Sequence, residues 1–232
     1  MSTRRVVFTG LLLAAAVVFS LFPGLDRAVS GRFYRSGEGF FLYDNPVIRA
    51  IHDAIPPMAI ASAAVLLAML AWMGWTKRTV AGLSWRPVAY LLAVLSIGPG
   101  LLTNTVLKDH WHRARPSQTV EFGGHARFTP ALVPSDQCDH NCSFVCGHAA
   151  MAFSPVALAF VLPTRRRRRL ALGLGLGFGA LVGLVRIVEG GHFLSDVVFA
   201  GLLIYGVAWG LAAVMLERPR LRSSGMTPDL DR

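Results

Sequence analysis

Polar residues punctuate the chain so as to leave six apolar stretches, at 6–23, 56–75, 87–107, 149–162, 170–188 and 193–216. A helix that crosses a bilayer needs about 17–25 mostly apolar residues. The fourth stretch, HAAMAFSPVALAFVLP, is short, so its helix begins near His148 or is tilted, and Pro155 is placed to kink it. The pattern predicts an all-α polytopic membrane protein with six transmembrane helices. Arg4 and Arg5 precede the first stretch as they would in a secretory signal, but no good small-x-small cleavage site precedes Pro23, so an uncleaved span is preferred. Residues 24–54 and 108–148 form long connections, the first with a short interfacial helix near Asn45 to Ala54. Glu189 to Gly191 forms a tight one. Residues 1–232 read as one integral membrane domain, with a core at 85–215 and a cytoplasmic tail at 217–232.

Composition supports this reading. Apolar residues make up 53% and charged residues only 16%, against roughly 25% charged in soluble domains. The net charge is +10, which raises the question of a nucleic-acid partner. Its distribution argues against one. With the N-terminus inside, segments 1–5, 76–86, 163–169 and 217–232 carry 14 basic residues and three acids, leaving nine basic and ten acidic residues elsewhere. That asymmetry is an orientation signal. The run Arg165 to Arg169 then reads as a cytoplasmic hairpin that fixes topology, in keeping with attraction to anionic lipid.

This topology places a set of ionisable groups on the opposite, outer side. Lys108 ends the third stretch, and Arg115 follows. His148 opens the fourth, and Arg186 ends the fifth. His192 and Asp196 open the sixth, one helical turn apart. Fixed cations at Lys108, Arg115 and Arg186 suit a phosphate with several anionic oxygens. Asp196 can hold one imidazole nitrogen of His192 and leave the other free to attack phosphorus. His148 can protonate the departing oxygen, and water can then hydrolyse a phosphohistidine. No metal or other cofactor is needed by this scheme.

The same residues carry a family resemblance. KDHWHRARP (Lys108–Pro116) matches K-x6-R-P, SFVCGH (Ser143–His148) is similar to a P-S-G-H motif, and RIVEGGHFLSD (Arg186–Asp196) matches R-x5-H-x3-D. In order and spacing these resemble the three motifs of the type 2 phosphatidic acid phosphatase (PAP2) superfamily. The resemblance implies a six-helix bundle with His192 as nucleophile, Asp196 as its partner and His148 as general acid. It implies phosphate binding by Lys108, Arg115 and Arg186, with Gly147 offering a backbone N–H. Cys146 stands where the family usually has Ser, and Val145 where Pro is common. A thiol is a weaker donor than a hydroxyl, although the backbone donors at 146 and 147 would remain. Cys146 is not read as the nucleophile, because His192 has the better placed partner.

KDHW and NCSFVCGHA further resemble stretches of bacterial lipid A 1-phosphatases. This implies a membrane lipid partner, lipid A, cleaved at the periplasmic face of a bacterial inner membrane. Phosphatidylglycerophosphate, phosphatidate and undecaprenyl diphosphate remain alternative substrates. A phosphotransferase and a non-enzymatic lipid-binding protein are the other readings; a transporter would gather its ionisable groups near the midplane. Asp109, His110, Trp111, His112 and Arg113 are placed to shape a substrate mouth, with Trp111 alternatively an interfacial anchor. Glu189 either neutralises neighbouring cations or faces solvent. The cysteines allow a Cys138–Cys142 disulfide, a competing Cys142–Cys146 pair, or a metal site from Cys138, His140 and Cys142.

Overall fold

The computed structural model describes residues 3–80 and 82–216, so the tail expected at 217–232 lies outside the described residues. Helix α1 spans Thr3–Leu21, and α2 spans Gly24–Gly31. A two-stranded hairpin follows, β1 (Tyr34–Arg35) and β2 (Gly39–Phe40), antiparallel with Tyr34 opposite Phe40. The longest helix, α3, runs Pro46–Thr76. Helix α4 spans Trp85–His110, α5 Gly147–Val161, α6 Arg165–Val188 and α7 Leu194–Met215. Five of these, α1, α3, α4, α6 and α7, are long and apolar enough to cross a membrane, while α5 is apolar but shorter. The fourth apolar stretch therefore does form a helix, with the short length expected of it.

Local chemistry explains the helix ends. Asn45 caps α3, its side chain accepting from the N–H groups of Val47 and Ile48, and Pro46 occupies the first turn. The expected interfacial helix near Asn45 to Ala54 is not separate but is the first part of α3, which continues through Pro56 and Pro57. Two prolines do not end the helix, because their fixed φ suits it. They remove only the donors that would have paired with the carbonyls of His52 and Asp53. Within α5, residues Ser154–Ala157 tighten to 3₁₀ geometry around Pro155, the irregularity that the sequence suggested. Within α4, Ser96–Leu107 widens to π-helical turns at Gly98, Pro99 and Gly100.

Helix α5 packs between α6 and α7, and α4 lies against both α3 and α7. The core joins Tyr90, Val94, Phe144, Phe153, Phe199 and Ile204. The buried Tyr90 hydroxyl donates to the carbonyl of Ala208, so this polar group is satisfied within the bundle. Large apolar side chains such as Val17, Ile60, Val65 and Val214 instead face outward, as a lipid-exposed surface requires.

The alternating glycines of α6 fall into two sets. A Cβ on Gly175, Gly179 or Gly183 would run into Val156, Phe153 or Val197, whereas one on Gly173 or Gly177 would meet open space. The first set lies along one helix face at four-residue intervals and lets α6 approach α5 and α7 closely. Gly179→Leu should therefore destabilise the bundle by about 1–3 kcal/mol through overpacking. Gly177→Leu should not, a contrast read from unfolding temperatures in detergent.

Candidate active site

Four connected segments deliver the polar groups. The loop after α4 carries Arg115, the start of α5 carries Gly147 and His148, the end of α6 carries Arg186, and the α6–α7 turn carries His192. Gly190 makes that tight turn with φ +68, and the N–H groups of Gly191 and His192 both bond the carbonyl of Arg186. Lys108 reaches in from α4. Its Nζ donates to Asn141 Oδ1 at 2.8 Å, while Arg115 donates from Nε and Nη2 to the Asn141 carbonyl at 3.1 and 2.7 Å. Asn141, in the left-handed region at φ +50, thus gathers two of the three expected cations. Gly147 leaves room beside them, since a Cβ there would lie 2.8 Å from Asn104 Oδ1 and 3.2 Å from Lys108 Nζ and would push these side chains aside.

His192 is 1% exposed. Its Nδ1 faces Asp196 Oδ2 at 3.6 Å, longer than a direct hydrogen bond, and Ser143 Oγ lies beside both. The Ser143 hydroxyl donates to Asp196 Oδ2 at 2.5 Å and stands 3.4 Å from His192 Nδ1. The Phe193 N–H donates to the same carboxylate oxygen at 2.8 Å. Burial pushes the His192 imidazole down to about 3, against the opposing pull of Asp196, so the ring is neutral at neutral pH. Its Nε2, the Nε2 of His148 and the Nε of Arg186 are all buried without a hydrogen-bond partner among the described residues. Such atoms are costly unless something polar meets them.

The structure brings all eight expected site residues into one neighbourhood. Cys146 caps α5, its Sγ accepting from the Ala149 N–H at 3.4 Å. The backbone N–H of Cys146 donates to the Asp196 carbonyl at 3.2 Å, so it is not free for a ligand as the sequence suggested. Gly147 and His148 open the helix, where N–H groups have no intrahelical partner. Burial pushes the Cys146 thiol up to about 11, which keeps it protonated and poorly nucleophilic at neutral pH.

Several residues were missed or misplaced by sequence reasoning. Arg113 does not shape a mouth. It is 1% exposed and donates from Nη1 to Asp196 Oδ1 at 2.5 Å and Ser195 Oγ at 2.9 Å, and from Nη2 to Asp26 Oδ2 at 2.8 Å. Asp26, on α2, also accepts from the Ser195 N–H and hydroxyl. The Arg113 guanidinium lies 4.4 Å over the Phe193 ring. Glu189 is buried and paired with Arg186 rather than facing solvent. His110 and His112 bond the carbonyls of Val106 and Cys138, and Trp111 bonds the Ala131 carbonyl and stacks on Phe144. Cys138 and Cys142 are joined in a disulfide and Cys146 is free. That pairing excludes the Cys142–Cys146 alternative and removes the thiolates of the alternative metal site.

Removing Arg113 would leave two buried carboxylates uncompensated. Arg113→Met should cost about 3–5 kcal/mol, read as a large fall in unfolding temperature. Asp26→Asn, which keeps a hydrogen-bonding group, should cost less.

Comparison with known proteins agrees with the three motifs. The PAP2 superfamily model matches residues 87–220. A lipid A 4'-phosphatase from Francisella tularensis subsp. novicida is 37% identical over 91% of this chain and 96% of its own length. A lipid A 4'-phosphatase from Rhizobium etli is 33% identical over 91% of this chain and 87% of its own. The crystal structure of a transmembrane PAP2-type phosphatidylglycerolphosphate phosphatase from Bacillus subtilis aligns with a TM-score of 0.59 at 20% identity, covering 93% of this chain and 98% of that one. With its helices and its clustered motifs matched in this way, the chain is a multi-pass membrane protein that belongs to the PAP2 superfamily.

Proposed function

We propose that the protein is a lipid A phosphatase of the bacterial inner membrane, acting at the periplasmic face. The observation that carries this reading is the convergence of two buried imidazole nitrogens without partners among the described residues, on His192 and His148, with the cations Lys108, Arg115 and Arg186. A phosphate monoester supplies what each of them lacks. Its oxygens meet the cations and the Gly147 N–H, and its phosphorus meets His192 Nε2. The positive-inside distribution of Lys and Arg supports putting this cluster at the outer headgroup level. An apolar groove of about 480 Å³, lined by Ile55, Ala59, Leu91, Leu95, Met151 and Phe178 among others, opens within the membrane-spanning part and is suited to an acyl chain.

In the proposed reaction His192 Nε2 attacks phosphorus while the bond to the lipid oxygen breaks. His148, protonated as the phosphate dianion binds beside it, gives its proton to that oxygen and is left neutral, producing the lipid alcohol and a phosphohistidine. Asp196, held by Arg113, Ser143 and the Phe193 N–H, favours the positive charge that develops on His192. A water deprotonated by His148 then attacks phosphorus, the P–N bond breaks, and phosphate leaves with His192 restored. Lys108, Arg115 and Arg186 stabilise charge on the equatorial oxygens in both steps. No step uses a metal or another cofactor.

The motif stretches resemble those of lipid A 1-phosphatases, whereas the relatives matched over 91% of the chain are named for the 4'-phosphate. The longer similarity carries more weight, so the 4'-phosphate is the proposed position and the 1-phosphate the alternative.

Purified protein in detergent, offered lipid A, phosphatidylglycerophosphate, phosphatidate and undecaprenyl diphosphate with EDTA present, should release phosphate preferentially from lipid A. The remaining phosphate should be found at the 1-position by mass spectrometry. His192→Ala should abolish release with the fold intact, and unchanged release would remove His192 from its role. Preference for a glycerophospholipid would overturn the substrate, and loss of activity in EDTA the metal-free scheme. Cys146→Ser should raise kcat/KM by up to about tenfold, the worth of one hydrogen bond to a charged oxygen.

A further inference from the structure

One imidazole outside the three motifs enters the cluster. His52 lies on α3, before residues 87–220 that the family model matches, so the shared motifs do not account for it. Its Nδ1 is 2.7 Å from Arg186 Nη1 and 3.1 Å from Glu189 Oε1. Its ring meets that of His148 edge-on, with centroids 4.5 Å apart and planes at 90°. Glu189 also pairs with Arg186 Nη1. One arm of the guanidinium is therefore held by α3 and by the end of α6 together, while Arg186 Nε is buried without a partner among the described residues. A guanidinium is planar and rigid, so fixing Nη1 fixes the plane in which Nε and Nη2 present their protons. Gly191 leaves the room this requires, since a Cβ there would lie 2.9 Å from Arg186 Cζ.

We propose that His52 is a positioning residue: it accepts from Arg186 Nη1, aims the remaining guanidinium donors at the phosphoryl oxygens, and backs the ring of His148. The inference deepens the phosphatase reading and rests on it for the identity of the anion. Accepting at Nδ1 places the His52 proton on Nε2. Asparagine can imitate the accepting edge of the ring, with Oδ1 accepting from Arg186 Nη1. Leucine fills similar space and cannot accept.

The test is orthovanadate binding to the purified full chain and to His52→Leu and His52→Asn, with kcat and KM on lipid A measured alongside. His52→Leu should weaken vanadate binding about tenfold and lower kcat more than it changes KM, as misaligned transition-state contacts do. His52→Asn should restore most of both, at an unchanged unfolding temperature. Parent-like vanadate affinity in His52→Leu would overturn the proposal, as would equal impairment in His52→Asn or no vanadate binding by the parent. If the vanadate pattern holds but lipid A is not cleaved, the substrate reading fails and the positioning role stands.

Discussion

Arg113 joins two carboxylates that the chain places far apart. Asp26 comes from the short helix after the first span, and Asp196 from the start of the last, 170 positions away. All three groups are almost fully buried. Charges removed from water are costly unless each is paired and its remaining hydrogen-bonding capacity is used. Here the guanidinium also bonds Ser195 Oγ and the Thr129 carbonyl, and Asp26 also takes the Ser195 N–H and hydroxyl. The network fixes the first turn of α7 against α2 and the loop after α4. It thereby fixes the carboxylate beside His192, and the rest of the site is built around that carboxylate.

Because Arg113 occupies Asp196 Oδ1, only Oδ2 is left to face His192. Ser143 and the Phe193 N–H share that oxygen, so the imidazole stands 3.6 Å away rather than in direct contact. The aspartate is held by its own shell and does not depend on the histidine for its position. His192 in turn is held by the α6–α7 turn, with Gly190 in the left-handed region and the Arg186 carbonyl accepting two N–H groups. His192 and Asp196 are thus positioned from different sides, and Nε2 of the imidazole has no hydrogen-bond partner among the described residues.

The helices and the motif residues were legible in the sequence because they follow from local rules. Span length, apolar runs and Arg placement need no knowledge of tertiary contacts, and motif spacing brings His192 and Asp196 to the start of the last span, although His192 lies in the turn before the helix and not on its face. What lay beyond reach depended on contacts distant in sequence. Arg113 sits in a run of five polar or aromatic residues at 109–113, and nothing local separates it from its neighbours. Its partner Asp26 is one acid among several in the 24–54 connection. His52 falls in the 24–54 connection, before the apolar stretch that begins at residue 56, and nothing in that pattern ties it to the site. Glu189 beside Arg186 allowed both a buried and an exposed reading, and only the packed turn decides between them. Cys146 was a visible departure from the motif, but its engaged backbone N–H appears only once α7 lies against α5.

The central claim is that His192, held beside an Asp196 that Arg113 secures, takes the phosphoryl group covalently. Rapid quenching of the protein with ³²P-labelled lipid A tests it directly, with the labelled peptide identified by digestion. The account predicts protein-bound phosphate that survives base, is lost in acid and maps to His192. Acid-stable label on Cys146, or turnover with no labelled protein at any quench time, would contradict it.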